Sequence, residues 1–404
     1  MYLFYIFSFF LFSHVTHLYA ASTEASTTSI LHADLPCSAP AGNNEKAEKP
    51  TLHFHIKVTE IKQKLTDSIH FYKHLEKSVR KWPQFTCLKS AFKKGDKDPI
   101  VGIVRKQLIL LKIMKNKSVP DEDLFDEILE KGVQHFQKSH SLDSDGVIGL
   151  QTCHQLNMPP SVRINAIKQS LVQFDELKSQ WGSRYIIVNL PTFDLLAIND
   201  DKIELAQPVI IGSKSRPTPI SIYPIQSIVL NPSWRVPVSI FVKDKLSKVL
   251  EDPNYLDRGN YLVYDANGDL LESSNINWED VSLTYFPYKV RQQPGKKNAL
   301  GAVKFNLEND QSIYMHGTPE TSLFNKGFRA LSSGCIRVAD PISLAVWVLG
   351  VETMNRETLQ EKIDTQETMT LRIKTPVSVF TTNIPVWVNP NGAIQFGIQK
   401  LIND

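Results

Sequence analysis

The periodicity of the chain changes at Arg184. Upstream, apolar residues recur at helical intervals, and downstream they gather in short extended runs. Tyr185–Leu190 and Thr192–Ile198 read as consecutive strands broken at Pro191, and Gln207–Gly212 and Ser227–Asn231 as two more. Many short strands punctuated by Gly, Pro and Asn predict a mainly β, sandwich-like domain over residues 184–404. A chain of 404 residues exceeds what one core organises, so two to three domains are expected.

The extended pattern is interrupted once. Between residues 238 and 295 the chain turns helical and polar, with a lysine-rich amphipathic stretch from Ile240 to Leu250. An insertion of that size between strands reads as a lid. Strand-like sequence resumes at Arg291–Gly295 and Asn298–Phe305. A helix is expected over Pro341–Leu349, and last strands near Val377 and Trp387. Asn389–Gly392 forms the turn before Ala393–Phe396.

The helical half reads in two parts. Over residues 51–120, Ile56, Ile61, Leu65, Ile69 and Tyr72 space as one face, and Leu108–Met114 is a second helical run; the lysines there form a solvated face of a scaffold. Over residues 121–180, Leu124, Ile128, Val133 and Phe136 pattern as a buried face. The turn Leu142–Gly149 then opens a short helix, and Ile164, Ile167, Leu171, Phe174 and Leu177 mark another. Asp143 and Asp145 do not make a calcium loop, because the terminal bidentate acid is missing. Residues 1–20 begin with an apolar run free of Lys and Arg and end in small residues, as in a secretory signal peptide. The run is short of the ~20 residues a spanning helix needs, and an uncleaved anchor is the alternative. Residues 21–50, rich in Ser, Thr, Ala, Pro and Asn, have little to bury and read as a disordered tether. A net charge of +3 biases the chain weakly toward anionic surroundings and excludes nothing.

Two residues bear on chemistry. His316 ends the apolar run Ile313–Met315 and precedes a Gly-Thr-Pro turn, which places an imidazole at a strand end. Nineteen residues later stands Cys335, after Ser332, Ser333 and Gly334. A thiol is a nucleophile only as thiolate, so it needs a base or a positive field. Gly334 lets backbone approach a substrate and leaves amides to face an oxyanion. Taken alone, the pair favours the bland reading, a small buried cysteine and a satisfied histidine, because single Cys and His residues are common. No Cys-x-x-Cys pair is present, and no metal site is expected.

Together, His316-Gly317-Thr318 and Ser332-Ser333-Gly334-Cys335-Ile336-Arg337 resemble the motif of the L,D-transpeptidase (YkuD-like) family. Ser333 stands where many members have a second histidine, a departure shared by the larger cell-wall members with an added peptidoglycan-binding module. The run Phe136-Gln137, Leu142 and Asp145–Gly149 resembles that module, here over residues 121–180. Ser215–Pro219 and Asn231–Pro237 resemble segments that flank the family's active site, and a capping subdomain is expected at the insertion.

The resemblance implies Cys335 as nucleophile, His316 as base and the Gly317 carbonyl as the group that orients it. It implies the amides of Gly334 and Cys335 as oxyanion hole, and Tyr314, Ser333 and Arg337 as substrate-contacting residues. For Arg337 a structural ion pair is the alternative. The implied reaction is 3→3 cross-linking of peptidoglycan stems, with no cofactor and with carbapenems as thiol-directed inhibitors. Water as acceptor gives a carboxypeptidase or endopeptidase instead, and an inert thiol a wall-binding protein. The expected partners are stem peptides and glycan, without nucleic acid, and membrane association only through an uncleaved N-terminus. The expected location is the periplasm or cell envelope; sequence does not reach oligomeric state. In that oxidising compartment Cys87 and Cys153 are candidates for a disulfide between scaffold and small domain, with Cys37 in the tether.

Overall fold

The computed structural model describes residues 57–87, 90–116, 119–389 and 391–398. The expectations for residues 1–20 and 21–50, Cys37 and Ile56 lie outside the described residues. Helix α1 (Val58–Ser78) buries Val58, Ile61, Leu65, Ile69, Tyr72 and Leu75. Steps of three and four residues put these on one stripe. Each full burial contributes roughly 1.5–3 kcal/mol before chain entropy is counted. Helix α2 (Pro99–Leu110) starts where Asp98 accepts a hydrogen bond from the Ile100 N–H at 2.8 Å, with Pro99 in the first turn. The run read at Leu108–Met114 is therefore the end of an earlier helix. The chain leaves it at Lys112, where φ is +58°.

Helix α3 (Glu127–Lys138) is capped by Asp126, which fixes its phase. Leu129, Val133 and Phe136 are buried, whereas Leu124 and Ile128 are exposed, against expectation. Helices α4 (Leu150–Leu156) and α5 (Pro160–Lys178) follow, and α5 packs its Ile164, Ile167 and Phe174 with the α1 core.

Cys87 and Cys153 form a disulfide with Cα atoms 5.6 Å apart, as the sequence suggested. It fastens the segment after α1 to α4. Trp82 Nε1 donates to Leu156 O (3.0 Å) and Asn157 Nδ2 to Phe85 O (2.6 Å) at the same seam. Closing a loop of 66 residues stabilises by on the order of 4 kcal/mol if the gain is chain entropy. Reduction or Cys153→Ala should thus lower the melting temperature of the full chain by several degrees. An unchanged melting curve in calorimetry would show the seam to be held by its hydrogen bonds alone.

Arg163, fully buried on α5, went unnoticed in the sequence. A charge taken out of water needs partners. Here Nη2 donates to Gln155 O (2.7 Å), Nε to Met158 O (3.2 Å), and Nη1 meets His140 Nε2 (2.8 Å). The guanidinium also lies 5.1 Å from the Phe396 ring. His140 must accept on Nε2, so its Nδ1–H donates to Phe136 O at 2.7 Å. Burial first, and the guanidinium second, hold His140 well below its ordinary pKa, hence neutral.

The β half begins with β1 (Arg184–Asn189), β2 (Asp194–Asn199), β3 (Lys202–Gly212) and β4 (Ile222–Leu230). Pro191 sits in a short turn, and Phe193 in the left-handed region delays β2 to Asp194. The insertion carries β5 (Trp234–Arg235), helices α6 (Val238–Asp244), α7 (Leu246–Glu251) and α8 (Tyr255–Arg258), then β6 (Tyr261–Tyr264), β7 (Leu270–Leu271) and β8 (Lys289–Gln292). Its helices were expected; its four-stranded sheet, β5-β8-β6-β7, was not. The stretch read as the main sheet resuming at Arg291 is part of β8, because Val290 and Val263 alternate inward to the insertion's own core with Phe241 and Trp278.

The main sheet continues with β9 (Val303–Leu307), β10 (Tyr314–His316), β11 (Ala330–Ser332) and β12 (Ile336–Val338). After α9 (Pro341–Leu349) and α10 (Arg356–Asp364) come β13 (Met369–Arg372) and β14 (Ser378–Thr382). The order is β11-β3-β12-β10-β9-β4-β14-β1-β2, with β13 on β4. Strand β3 pairs with β2 through its first half and with β12 and β11 through its second, so the sheet closes on itself. The core within it includes Ile186, Leu195, Val209, Phe305, Met315 and Ile336, with Leu344, Val348 and Leu359 of the two helices. The last hairpin, β15 (Val386–Val388) and β16 (Ile394–Phe396), stands apart from this sheet. Trp387 and Phe396 are buried in the cluster of the helical half instead, so the strand near Trp387 closes the helical core.

Candidate active site

Strand β10 lies between β9, antiparallel, and β12, parallel. His316 pairs in register with Lys304 on one side and Arg337 on the other, which makes a row of three with the imidazole in the middle. Met315 is opposite Ile336, so Cys335, one residue before β12, comes level with Tyr314. Parallel neighbours require a crossover, and the segment from Gly317 to Gly334 supplies it. That is how residues nineteen apart in sequence come to lie on neighbouring strands, His316 at the end of β10 and Cys335 just before β12.

His316 is buried, and its Nδ1 lies 2.5 Å from Gly317 O. A carbonyl only accepts, so Nδ1 carries the proton and Nε2 is the basic nitrogen. Burial first, then the positive field of Arg337, push the imidazole down to about 3, against the smaller pull of the Gly317 bond. Burial likewise pushes the half-buried Cys335 thiol up. Hydrogen bonds from the Tyr314 amide and hydroxyl, and the charges of Lys304 and Arg337, work the other way. At neutral pH the site therefore holds a protonated thiol and a neutral imidazole.

The cysteine loop is held by bonds of its own. Gly334 adopts φ +116°, and its carbonyl accepts from Thr218 Oγ1 at 2.7 Å. A Cβ there would press on Ile313 Cδ1 at 3.3 Å and strain the backbone. Ser332 Oγ donates to Cys335 O (2.6 Å) and accepts from the Gly334 N–H (3.2 Å). The Gly334 amide expected to face an oxyanion is thus turned to a hydroxyl, with which an oxyanion would compete. The loop's bonds run through Ser332, and Ser333 beside it is half-buried. Cys335 Sγ lies 3.8 Å from Ser312 O.

Arg337 has a partner within the chain: Nη1 lies 2.6 Å from Glu320 Oε2 and 3.5 Å from Thr318 Oγ1. The ion pair weighed as the alternative for this residue is present. Tyr314 packs against the insertion's core, with its ring 5.5 Å from that of His316. Burial raises its hydroxyl pKa, so it stays a donor.

Several residues shape the site in ways that the sequence did not assign to them. Arg216 and Asp244 form a two-pronged pair, 2.7 and 3.1 Å, between the loop after β3 and α6, and so fasten the insertion to the site. Asp143 accepts from the Gly327 (2.6 Å) and Phe328 (3.3 Å) amides, tying the turn before α4 to the crossover between His316 and Cys335. Lys304 looks like one cation on an alternating strand, and only the β9–β10 register places it beside His316.

Residues 183–379 match the YkuD family model, an L,D-transpeptidase catalytic domain. Residues 98–156 match the model described as "Putative peptidoglycan binding domain". That match takes in α2, inside the stretch assigned to the scaffold, and stops before α5. A Haemophilus influenzae protein named "Putative L,D-transpeptidase" is 33% identical over 222 residues, 54% of this chain and 45% of that protein. The alignment thus spans less than half the length of that relative. Solved structures of L,D-transpeptidase 3 from Mycobacterium tuberculosis (12% identity, TM-score 0.25, 49% of this chain and 60% of that one) and of the L,D-transpeptidase from Mycobacterium smegmatis (12%, 0.22, 49% and 58%) are also matched.

Proposed function

We propose that the protein, whose residues 183–379 match the L,D-transpeptidase catalytic domain of the YkuD family and whose residues 98–156 match a peptidoglycan-binding module, cross-links peptidoglycan stems 3→3 with Cys335 as nucleophile. The observation that carries this is the imidazole of His316, neutral, fixed on Nδ1 by Gly317 O and carried on the strand that pairs with the one the cysteine loop leads into. The thiol gives its proton to Nε2 as Sγ attacks the carbonyl between the third, diamino residue and the fourth, D-residue of a donor stem. The tetrahedral oxyanion is held by the Cys335 amide, and by the Gly334 amide only once the oxyanion displaces the Ser332 hydroxyl, an effect worth roughly 3–4 kcal/mol per donor. On collapse the C–N bond breaks, His316 returns the proton to the leaving amine, and a thioester remains. The side-chain amine of an acceptor stem then takes the acyl group and the thiol is restored. We place this work in the cell envelope, where the substrate lies.

The test is to incubate the purified protein with disaccharide-tetrapeptide and to score products by mass. Cross-linked dimer is expected. Tripeptide alone would make water the acceptor, and an unmodified thiol with no product would sink the enzymatic reading. A waiting thioester needs shielding from water, and the insertion clamped by Arg216 and Asp244 is placed to provide it. Shortening residues 238–295, or Asp244→Ala, should move product from dimer toward tripeptide. An unchanged ratio in a folded variant would rule that role out.

A further inference from the structure

A cavity of about 300 Å³ opens beside the thiol, lined by Lys304, Asn306, Asn309, Ser312, Tyr314 and Gln226 among others. It reaches Cys335 through Ser312, whose carbonyl lies 3.8 Å from Sγ. Two of its polar walls are already occupied. Asn309 Nδ2 donates to Leu307 O and Ile313 O, its Oδ1 accepts from the Gln311 and Ile313 amides, and Asn306 Nδ2 donates to Ser227 Oγ.

Lys304 is different. Its ammonium is half-buried and lies 4.4 Å over the Tyr314 ring. None of the ion pairs among the described residues includes it, whereas Arg337, on the other side of His316, is paired with Glu320. Burial lowers the Lys304 pKa, so an anion in the cavity would restore what desolvation takes away. The Gln226 amide, the Ser312 hydroxyl and one cation without a carboxylate partner among the described residues make a site for a carboxylate.

The position of Lys304 says which carboxylate. It faces His316 directly across β9 and β10, and His316 is the group that protonates the departing amine. The carboxylate of the residue that leaves shares a Cα with that amine, so its carbon lies only about 2.5 Å from the nitrogen. We propose that Lys304 and this cavity form the subsite for the terminal carboxylate of the residue released from the donor stem, so that donors ending in a free acid are selected over capped or longer ones. This rests on the donor reading above. In the step, the Sγ–C bond forms, the C–N bond breaks, and the amine takes its proton from His316. The carboxylate stays ionised on Lys304 until the free amino acid departs.

The full chain would be given two disaccharide-tetrapeptides, one with a free C-terminal carboxylate and one with a C-terminal amide. Acyl-enzyme is followed by intact mass, and alkylation by iodoacetamide, a neutral probe, reports on the thiol alone. Wild type should acylate from the acid faster than from the amide by a factor on the order of 10 or more, the scale of one charge-assisted hydrogen bond. Lys304→Met should bring that ratio to about one, and Lys304→Arg should restore part of it; Lys304→Gln serves if the methionine variant does not fold. A ratio near one in wild type, or a ratio that survives in Lys304→Met, overturns the proposal. So does a variant slowed equally on acid, amide and iodoacetamide, because the ammonium would then act on the thiol. If neither peptide acylates while iodoacetamide still modifies Cys335, the donor reading itself falls, and this subsite with it.

Discussion

Cys335→Ala is expected to abolish product formation and carbapenem adduct formation while the protein stays folded. The side chain is small and half-buried, and its polar contacts are the Tyr314 amide and hydroxyl and a long 3.8 Å approach to Ser312 O. Its removal should therefore shift stability by no more than an ordinary surface-like change, about 0.5 kcal/mol. The loop that presents it is held by Ser332 Oγ and Thr218 Oγ1, neither of which needs the sulfur. Cys335→Ser separates chemistry from shape more sharply. An alkoxide is far harder to generate than a thiolate, and this site already disfavours charge at the position through burial. The serine variant should bind donor and form essentially no acyl-enzyme. Intact mass after exposure to a carbapenem, with a thermal melt alongside, checks both variants. A drug adduct on Cys335→Ala would place the nucleophile elsewhere, and a collapsed melt would make the cysteine structural.

The reach of the sequence can be judged at particular residues. Spacing alone gave the α1 face, because Ile61, Leu65, Ile69 and Tyr72 are bound by a local period. Phase failed at α3, where Asp126 rather than the apolar pattern decides where the helix begins and turns Ile128 outward. Residues that act across strands were not legible. Lys304, His316 and Arg337 form a row only because β9, β10 and β12 take one register out of many. Nor does anything local tell that Trp387 and Phe396 leave the sheet for the helical core, or that Asp143 holds the crossover loop. The motif around Cys335 was visible because its parts are close in sequence: Gly334 supplies a positive φ and Ser332 closes a turn three residues long.

Replacing His316 by alanine should slow acylation at neutral pH by a factor on the order of 10² or more, the usual scale for losing a general base. The pH dependence is the sharper test. In the wild type the imidazole is held down to about 3, so it remains a base throughout the mildly acidic range. The thiol is raised, so it still carries its proton well above neutrality. Acylation by a carbapenem should accordingly be nearly flat with pH across neutrality, with no step at the ordinary histidine pKa of about 6.5. His316→Ala has only the free thiolate to use. Its rate should climb about tenfold per pH unit until the thiol titrates, and the gap to wild type should close at high pH. Stability carries the same signature with the sign fixed by linkage. The folded protein resists protonating His316 and the unfolded chain does not, so His316 costs nothing above pH 6.5. Stability is lost as pH falls from there toward about 3, and His316→Ala should be less acid-sensitive. A wild-type rate that steps down near 6.5 would mean that the imidazole titrates as if exposed. If His316→Ala acylates as fast as wild type at neutral pH, the pairing is wrong, and the base must be sought among the other ten of the chain's 11 histidines.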